Sequence, residues 1–371
     1  MHPHNHNDKQ NPSKNHIHAH ELLSLWHQRR DQYQWAVGLL IGIDGSSYRK
    51  PGAMMLFNEL GQHYGLMSGG CLEQHLCQQA VKAINDDCSV ILSYDLDVPD
   101  LEITDIETDK LNSESQSNTT SDSQHWELAI GCGGSVTVFI APLTEQNNYL
   151  SLASVYAAIT QNQQCELNLI AKNGQASVSI QSDCNSQACA QAPISSTSSY
   201  NSQSQQLSIS FYPAIKLFIC GAGVDAIPLA NIADQMGWSV SINETRSQYQ
   251  KPGRFLRSAN THAMTYDKII DQANFIGADC IIIMHHNLEL DRQALQAAHC
   301  SSARYIGVLG PTHRLNTLLE LCELQASDFN QRLHGPCGLA LGGDNPASVA
   351  LSIISHCHAV IANASMKSLP L

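Results

Sequence analysis

Apolar positions recur with different spacings in the two halves of the chain. Early on, Glu21 opens a stretch with helical spacing that predicts a helix over residues 21–34. The run WAVGLLIGI predicts a strand over 35–43. A turn-rich stretch, 44–52 (DGSSYRKPG), leads to further strands at 53–57 and 63–67, with Leu60-Gly61 turning the chain between them. Leu72, Leu76, Ala80, Val81 and Ile84 then fall at helical spacing and predict a helix over 71–85. Strands follow at 89–94 and 135–140. From Leu207 the pattern becomes regular. Short apolar runs at 216–220, 238–242, 279–284 and 304–309 alternate with helical stretches at 225–236, 290–301 and 312–322. A last helix starts with Asn345 as N-cap and Pro346 in its first position, and Val349, Ile353, Cys357 and Ile361 form its apolar face. Such alternation implies an α/β protein, its later part a parallel sheet with right-handed crossovers.

Three stretches carry no such pattern. Residues 1–20 hold six histidines among Asn and Pro and read as a disordered tail with weak metal affinity. Segments 108–124 and 181–206 are polar, rich in Ser, Gln and Asn, and bury too little to offset the entropy of ordering. These give the organisation: tail 1–20, a first domain over 21–180 with a polar insertion at 108–124, a flexible linker over 181–206, and a second domain over 207–371.

Composition narrows the function. The 371 residues are 43% hydrophobic and carry a formal charge of −13, which excludes a general nucleic-acid binder, since that needs a basic face. No run approaches the roughly 18 consecutive apolar residues of a membrane span. The N-terminus lacks the apolar core of a secretory signal, so a cytoplasmic protein is expected. Thirteen scattered cysteines are then expected to be reduced, with any special thiol catalytic, ligating or sulfur-carrying. No Cys/His spacing of a zinc site is evident.

Several short motifs carry chemistry. Gly221-Ala222-Gly223-Val224-Asp225-Ala226 follows a strand and opens a helix, as a dinucleotide-binding loop does. Gly221 permits the turn, Gly223 lets backbone approach phosphate, and Ala226 allows close helix–strand packing. Glu244 lies about 20 residues on, where an acid binds ribose hydroxyls. The same glycines also suit a Rossmann-type domain that uses them for packing alone. In Ser68-Gly69-Gly70-Cys71-Leu72-Glu73, Cys71 is either a thiolate favoured by a helix N-terminus or a small residue at a crowded helix start. Gly131-Cys132-Gly133-Gly134 puts a thiol where backbone freedom suits close approach to a bulky ligand. Together, Cys71 and Cys132 can act on one soft atom, sulfur or molybdenum. Arg49, within Gly45–Gly52, belongs either to an anion-binding loop or to a solvated turn. His286 and Asp291 stand at the carboxyl end of a parallel strand, the edge where open α/β sheets bind ligands, although paired histidines also merely cap strands.

In this order, the stretches GSSYRKPGAMM, YGLMSGGCLEQ, GCGGSVTVFIAP, KLFICGAGVDAIPLA, IIIMHHNLELDRQAL, YIGVLG and HGPCGLALGGDNPASVALSI resemble the XdhC/CoxI family, accessory proteins of xanthine dehydrogenase and related molybdenum hydroxylases. They span most of residues 35–361 outside the polar insertions. The resemblance implies a small N-terminal α/β domain followed by a Rossmann-like domain, commonly in a homodimer. It implies a protein that binds the molybdenum cofactor, a pyranopterin dithiolene, while a terminal oxo ligand is exchanged for sulfido, and then delivers it to a xanthine dehydrogenase-type hydroxylase. The sulfur would come from a cysteine desulfurase. Carried over by position, Cys71 and Cys132 would handle cofactor or sulfur, with Gly69, Gly70, Gly133 and Arg49 beside them. The loop from Gly221 to Ala226, with Glu244, Arg246, His286 and Asp291, would form the Rossmann-side site, where a nucleotide is a further possible ligand. Departures from the family pattern fall in the second domain: His285-His286 replaces Thr-His, Gly310-Pro311 replaces Gly-Ser, Ala340 stands where the family has an acid, and His356 replaces a Glu.

Two other readings compete. A nicotinamide-dependent oxidoreductase with a cysteine-assisted site would use the glycine loop, but no acid/base pair is evident in the first domain. A redox-sensing or metal-buffering protein would use the histidine-rich tail.

Overall fold

The computed structural model describes residues 18–45, 49–68, 72–95, 123–127, 134–170, 175–180, 198–201, 203–204, 206–251, 253–256 and 258–367. It divides into two compact units: the first comprises 1–182 and 196–213, the second 183–195 and 214–371.

The first unit opens with α1 (Ala19–Arg29), whose Leu22, Leu23 and Trp26 are buried. Then come β1 (Trp35–Gly45), β2 (Met54–Asn58), β3 (His63–Gly65), α2 (Glu73–Asp86), β4 (Val90–Asp95), β5 (Ser123–Glu127) and β6 (Gly134–Leu143). These strands form one sheet in the order β3-β2-β1-β6-β4-β5. It is antiparallel except for the β4–β5 pair, and β5 is an element the sequence pattern does not predict. Seven consecutive residues of β1 are buried, because both faces of this central strand are covered. The result is a continuous apolar run rather than alternation. One face packs on Leu72, Leu76 and Ala80 at the start of α2. The other packs on α1, α3 (Leu152–Thr160) and a second antiparallel sheet. That sheet has the order β8-β7-β10-β9, with β7 (Cys165–Ile170), β8 (Gln175–Ile180), β9 (Ser198–Asn201) and β10 (Gln206–Phe211).

This second sheet corrects the expected boundary. Leu207 does not start the second domain. It lies in β10, paired with Leu169 of β7, and Ser198–Asn201, inside the expected linker, is a strand edge on β10. Leu207, Ile209 and Phe211 alternate inward along β10, a period-2 signal that favours a half-buried strand. The tail before residue 18 and most of 108–124 lie outside the described residues.

The second unit has the four strands and four helices that the pattern predicts, and adds two short strands, 260–262 and 333–334, and two short helices, 266–269 and 273–276, that it does not. Its strands are β11 (Lys216–Cys220), β12 (Ser239–Asn243), β13 (Asn260–His262), β14 (Cys280–Ile283), β15 (Tyr305–Val308) and β16 (Leu333–His334). They form one parallel sheet in the order β13-β12-β11-β14-β15-β16, the doubly wound arrangement whose ligand crevice opens between the first and fourth strands. The helices are α4 (Ala226–Gln235), α5 (Tyr266–Ile269), α6 (Ala273–Ile276), α7 (Leu288–His299), α8 (Thr312–Cys322) and α9 (Pro346–Ile361). Buried cores lie on both faces of the sheet. The side chain of Asn345 caps α9 by accepting the Ser348 N–H at 2.9 Å, and Pro346 is its first residue, as expected. Among the described residues, no helix is long and apolar enough to cross a membrane.

Candidate functional site

In the first unit, β3 runs antiparallel to β2, and β2 antiparallel to β1. β3 therefore points in the direction of β1. The chain leaves it heading toward the end of the sheet where Gly45, the last residue of β1, pairs with Gly134, the first residue of β6. Ser68 and Glu73, on either side of the first motif, and Gly134, the last residue of the second, thus lie toward the same end of one sheet. Cys71, Cys132, Gly69, Gly70 and Gly133 themselves lie outside the described residues. Arg49 is half-buried in the turn between β1 and β2.

What holds the first of these segments is Glu73, a residue for which the motifs suggest no role. Its carboxylate is buried, 5% exposed. One oxygen accepts the N–H groups of Met67 (3.1 Å) and Ser68 (2.8 Å). The other accepts the Ser68 hydroxyl (2.6 Å) and the Leu72 N–H (3.1 Å). Burial alone would push its pKa up, but these donors outweigh it and the pKa falls below the ordinary value. Helix α2 starts at Glu73 rather than at residue 71, so this carboxylate fastens the residues on either side of Gly69-Gly70-Cys71. Close by, His75 Nδ1 lies 2.9 Å from the buried Tyr94 hydroxyl, and burial lowers the imidazole pKa. Tyr94 sits in register with Val136, two residues into β6. The signal available in the sequence was Glu73 itself: an acid in the first turn of a helix, two residues past the cysteine of a glycine-cysteine loop.

In the second unit the glycine loop stands at the carboxyl end of β11. Gly221 has φ +118°, and a Cβ there would lie 2.7–2.8 Å from the Met284 carbonyl oxygen and the His285 nitrogen. Only glycine fits that approach. Glu244 does not reach outward as a ribose-binding acid would. It is 2% exposed, and it accepts the Ala222 N–H at 3.1 Å, the Arg246 N–H at 2.9 Å, and Arg246 Nε and Nη2 at 2.9 and 2.7 Å. Burial pushes its pKa up, but the Arg246 and Ala222 hydrogen bonds prevail and hold it at about 2. With four donors on two oxygens, its acceptor positions are filled. Ala226 is buried at the start of α4, as the packing role expected of it requires.

The remaining second-unit residues separate into a buried anchor and an exposed rim. Asp291, 1% exposed, accepts the His285 N–H at 3.0 Å, contacts His285 Nδ1 at 3.0 Å and accepts Arg314 Nη2 at 2.5 Å. Burial again raises its pKa, and the His285 and Arg314 bonds more than reverse the effect. Asp291 is therefore a buried anchor of the β14 end. His286 is exposed, in the left-handed region at φ +55°, with Nε2 2.6 Å from Asp225 Oδ2. That bond raises the His286 pKa. The other Asp225 oxygen is buried without a partner among the described residues, and it stands where a Cβ on Gly223 would fall. The place a side chain on Gly223 would take is filled by the Asp225 carboxylate.

The sheet order, the glycine loop after β11 and the acid after β12 define a Rossmann-type second unit joined to a first unit carrying two glycine-cysteine motifs. The XdhC and CoxI family model matches residues 28–95, and the XdhC Rossmann domain model matches residues 217–357. The chain belongs to this family. Among its relatives, a probable xanthine dehydrogenase subunit from Bacillus subtilis (strain 168) is 23% identical over 88% of this chain and 92% of its own length. The molybdenum cofactor insertion chaperone PaoD of Escherichia coli (strain K12) is 22% identical over 85% of this chain and 80% of its own. The fold matches a crystal structure of a xanthine dehydrogenase from Bacillus halodurans with a TM-score of 0.69 at 22% identity, covering 95% of this chain and 98% of that one.

Proposed function

We propose that this protein is a maturation factor for a xanthine dehydrogenase-type molybdenum hydroxylase. It binds the molybdenum cofactor, supports exchange of its oxo ligand for sulfido with sulfur from a cysteine desulfurase, and hands it to the hydroxylase. In this reading it acts as a homodimer in the cytoplasm, and Cys71 and Cys132 are the cofactor- and sulfur-handling thiols. Family membership and the named role of the Escherichia coli relative support the cargo. The observation that carries the reading for this chain is that the segment Glu73 fastens and the strand start at Gly134 approach one end of one sheet. Cys71 and Cys132 each stand within two residues of these positions in the sequence, and two soft thiol ligands would suit a molybdenum–sulfur centre. The oxidoreductase reading loses support from Glu244, whose carboxylate is turned inward and filled by Ala222 and Arg246 rather than open to ribose hydroxyls.

The test is client activity. Hydroxylase matured with Cys71→Ala or Cys132→Ala protein is expected to be assembled but to lack the sulfido-loaded cofactor, and to recover partly on chemical resulfuration where unsulfurated cofactor was inserted. A double variant that yields fully active client would defeat the proposal.

A further inference from the structure

The second unit contains a cavity of about 470 Å³ that the glycine loop's usual role does not explain. Ala222, Thr261 and His262 line its sheet side; Tyr249, Lys251 and Arg254 line its loop side. Its size lies in the roughly 300–1,000 Å³ range of small-molecule sites.

Three observations say what it takes. First, Arg254 Nε and Nη2 are buried with no hydrogen-bond partner among the described residues, and so is His262 Nε2. Buried guanidinium donors without acceptors are destabilising until one arrives, and phosphate matches their fork. Second, Glu244 also borders the cavity, but its charge is matched by Arg246 at 2.7 Å, which leaves Lys251 and Arg254 as a net positive wall. Third, the Tyr249 ring is already flanked by cations, Arg246 Cζ at 4.4 Å and Arg254 Cζ at 5.6 Å from its centroid. Arg246 is held by Glu244, so Arg254 is the cation of this pair with idle donors, and an aromatic ring beside such a cation recognises a planar heterocycle next to its phosphate.

The acid that would hold a dinucleotide's ribose is closed: the Glu244 carboxylate is turned inward and filled by Ala222 and Arg246. We propose that this cavity binds a planar heterocycle carrying a phosphate monoester, with Arg254 holding the phosphate and Tyr249 against the ring, and that it does not bind a dinucleotide. Two molecules share that chemistry: a free nucleoside monophosphate, and the phosphate-bearing pterin of the cargo, the latter resting on the proposed function.

The experiment is calorimetric titration of the full-length protein with adenosine 5′-monophosphate, cytidine 5′-monophosphate, oxidised pterin monophosphate, adenosine and NAD⁺. At least one monophosphate is expected to bind, adenosine to bind more weakly than its monophosphate, and Arg254→Gln to weaken the bound monophosphate by about tenfold or more, as loss of a charge-assisted hydrogen bond does. Tyr249→Leu, which leaves the phosphate contact in place, should also weaken it. Nucleotide binding without pterin binding identifies a free nucleotide as the source; the converse identifies the cargo. Monophosphate binding by protein that retains no cofactor from a replete host would uphold this site while defeating the proposed function, so the two fail separately. Absence of binding by all three monophosphates at millimolar concentration, tighter binding of NAD⁺ than of adenosine 5′-monophosphate, or unchanged affinity in a natively folded Arg254→Gln protein would overturn the proposal.

Discussion

Replacing Glu244 with Gln removes the charge that ties the glycine loop to Arg246, and the structure gives its size. The carboxylate is 2% exposed. Burial opposes its ionisation, but Arg246 and the Ala222 N–H hold its pKa at about 2 against an ordinary 4.5. At 1.36 kcal/mol per unit, that depression corresponds to about 3 kcal/mol of stability at neutral pH. Because the folded-state pKa lies below the unfolded one, the contribution is complete above the unfolded value and is lost as pH falls toward the folded one. It is about 2 kcal/mol smaller at pH 3 than at pH 7. For a unit of this size, the Gln variant should lower the second unit's midpoint by about 6–12 °C at pH 7. Its amide N–H₂ would face donors, which adds to the loss. Calorimetry at pH 7 and pH 3, with hydrogen exchange at the Ala222 and Arg246 amides, reads the effect. A midpoint unchanged at pH 7, or a deficit equal at the two pH values, would show that the Glu244 charge does not stabilise the loop.

Glu73→Ala removes the carboxylate that accepts the Met67, Ser68 and Leu72 N–H groups and the Ser68 hydroxyl and should cost roughly 2–4 kcal/mol, with retained cofactor falling in parallel; urea unfolding and bound-pterin assay check both. Gly221→Ala forces a Cβ against the Met284 carbonyl at 2.7 Å with φ +118° and is expected to destabilise the second unit by several kcal/mol, seen as a lower urea midpoint. Burial pushes Cys165 up to about 11 and Cys220 and Cys337 up to about 12. Alkylation mapped by mass spectrometry should therefore reach Cys71 and Cys132 at lower pH than these three; the reverse order would count against thiolate character in the glycine motifs.

Much of the second unit was legible because its signals are local. Strands of four or five apolar residues, glycine at the turn and an Asn-Pro helix start each depend on neighbours in sequence, and β11, β12 and α9 fall where the pattern predicts. The second sheet was less legible. β7 and β10 are joined through polar segments, and Leu207 reads as a beginning only when its partner Leu169, 38 residues earlier, is not known. In the site, the residue types were visible but their directions were not. Glu244 stands at the expected position after β12, yet its carboxylate turns inward to Ala222 and Arg246, and no spacing rule encodes that rotamer. Asp291 was expected at a ligand edge and instead anchors His285 and Arg314, because an acid in the first turn of α7 meets a half-buried arginine from α8. Arg254 and Tyr249 were missed altogether, since loop residues without periodicity declare themselves only once the fold brings them to one cavity.

The most direct measurement of the central claim is the molybdenum and pterin content of the protein purified anaerobically from a host replete in molybdenum cofactor, beside its Cys71→Ala/Cys132→Ala double variant. Roughly stoichiometric molybdenum and oxidised-pterin fluorescence are expected in the first and a marked loss in the second, with the fold intact by circular dichroism. A cofactor-free protein that also fails to take up added cofactor, or a double variant that retains it fully, would contradict that claim.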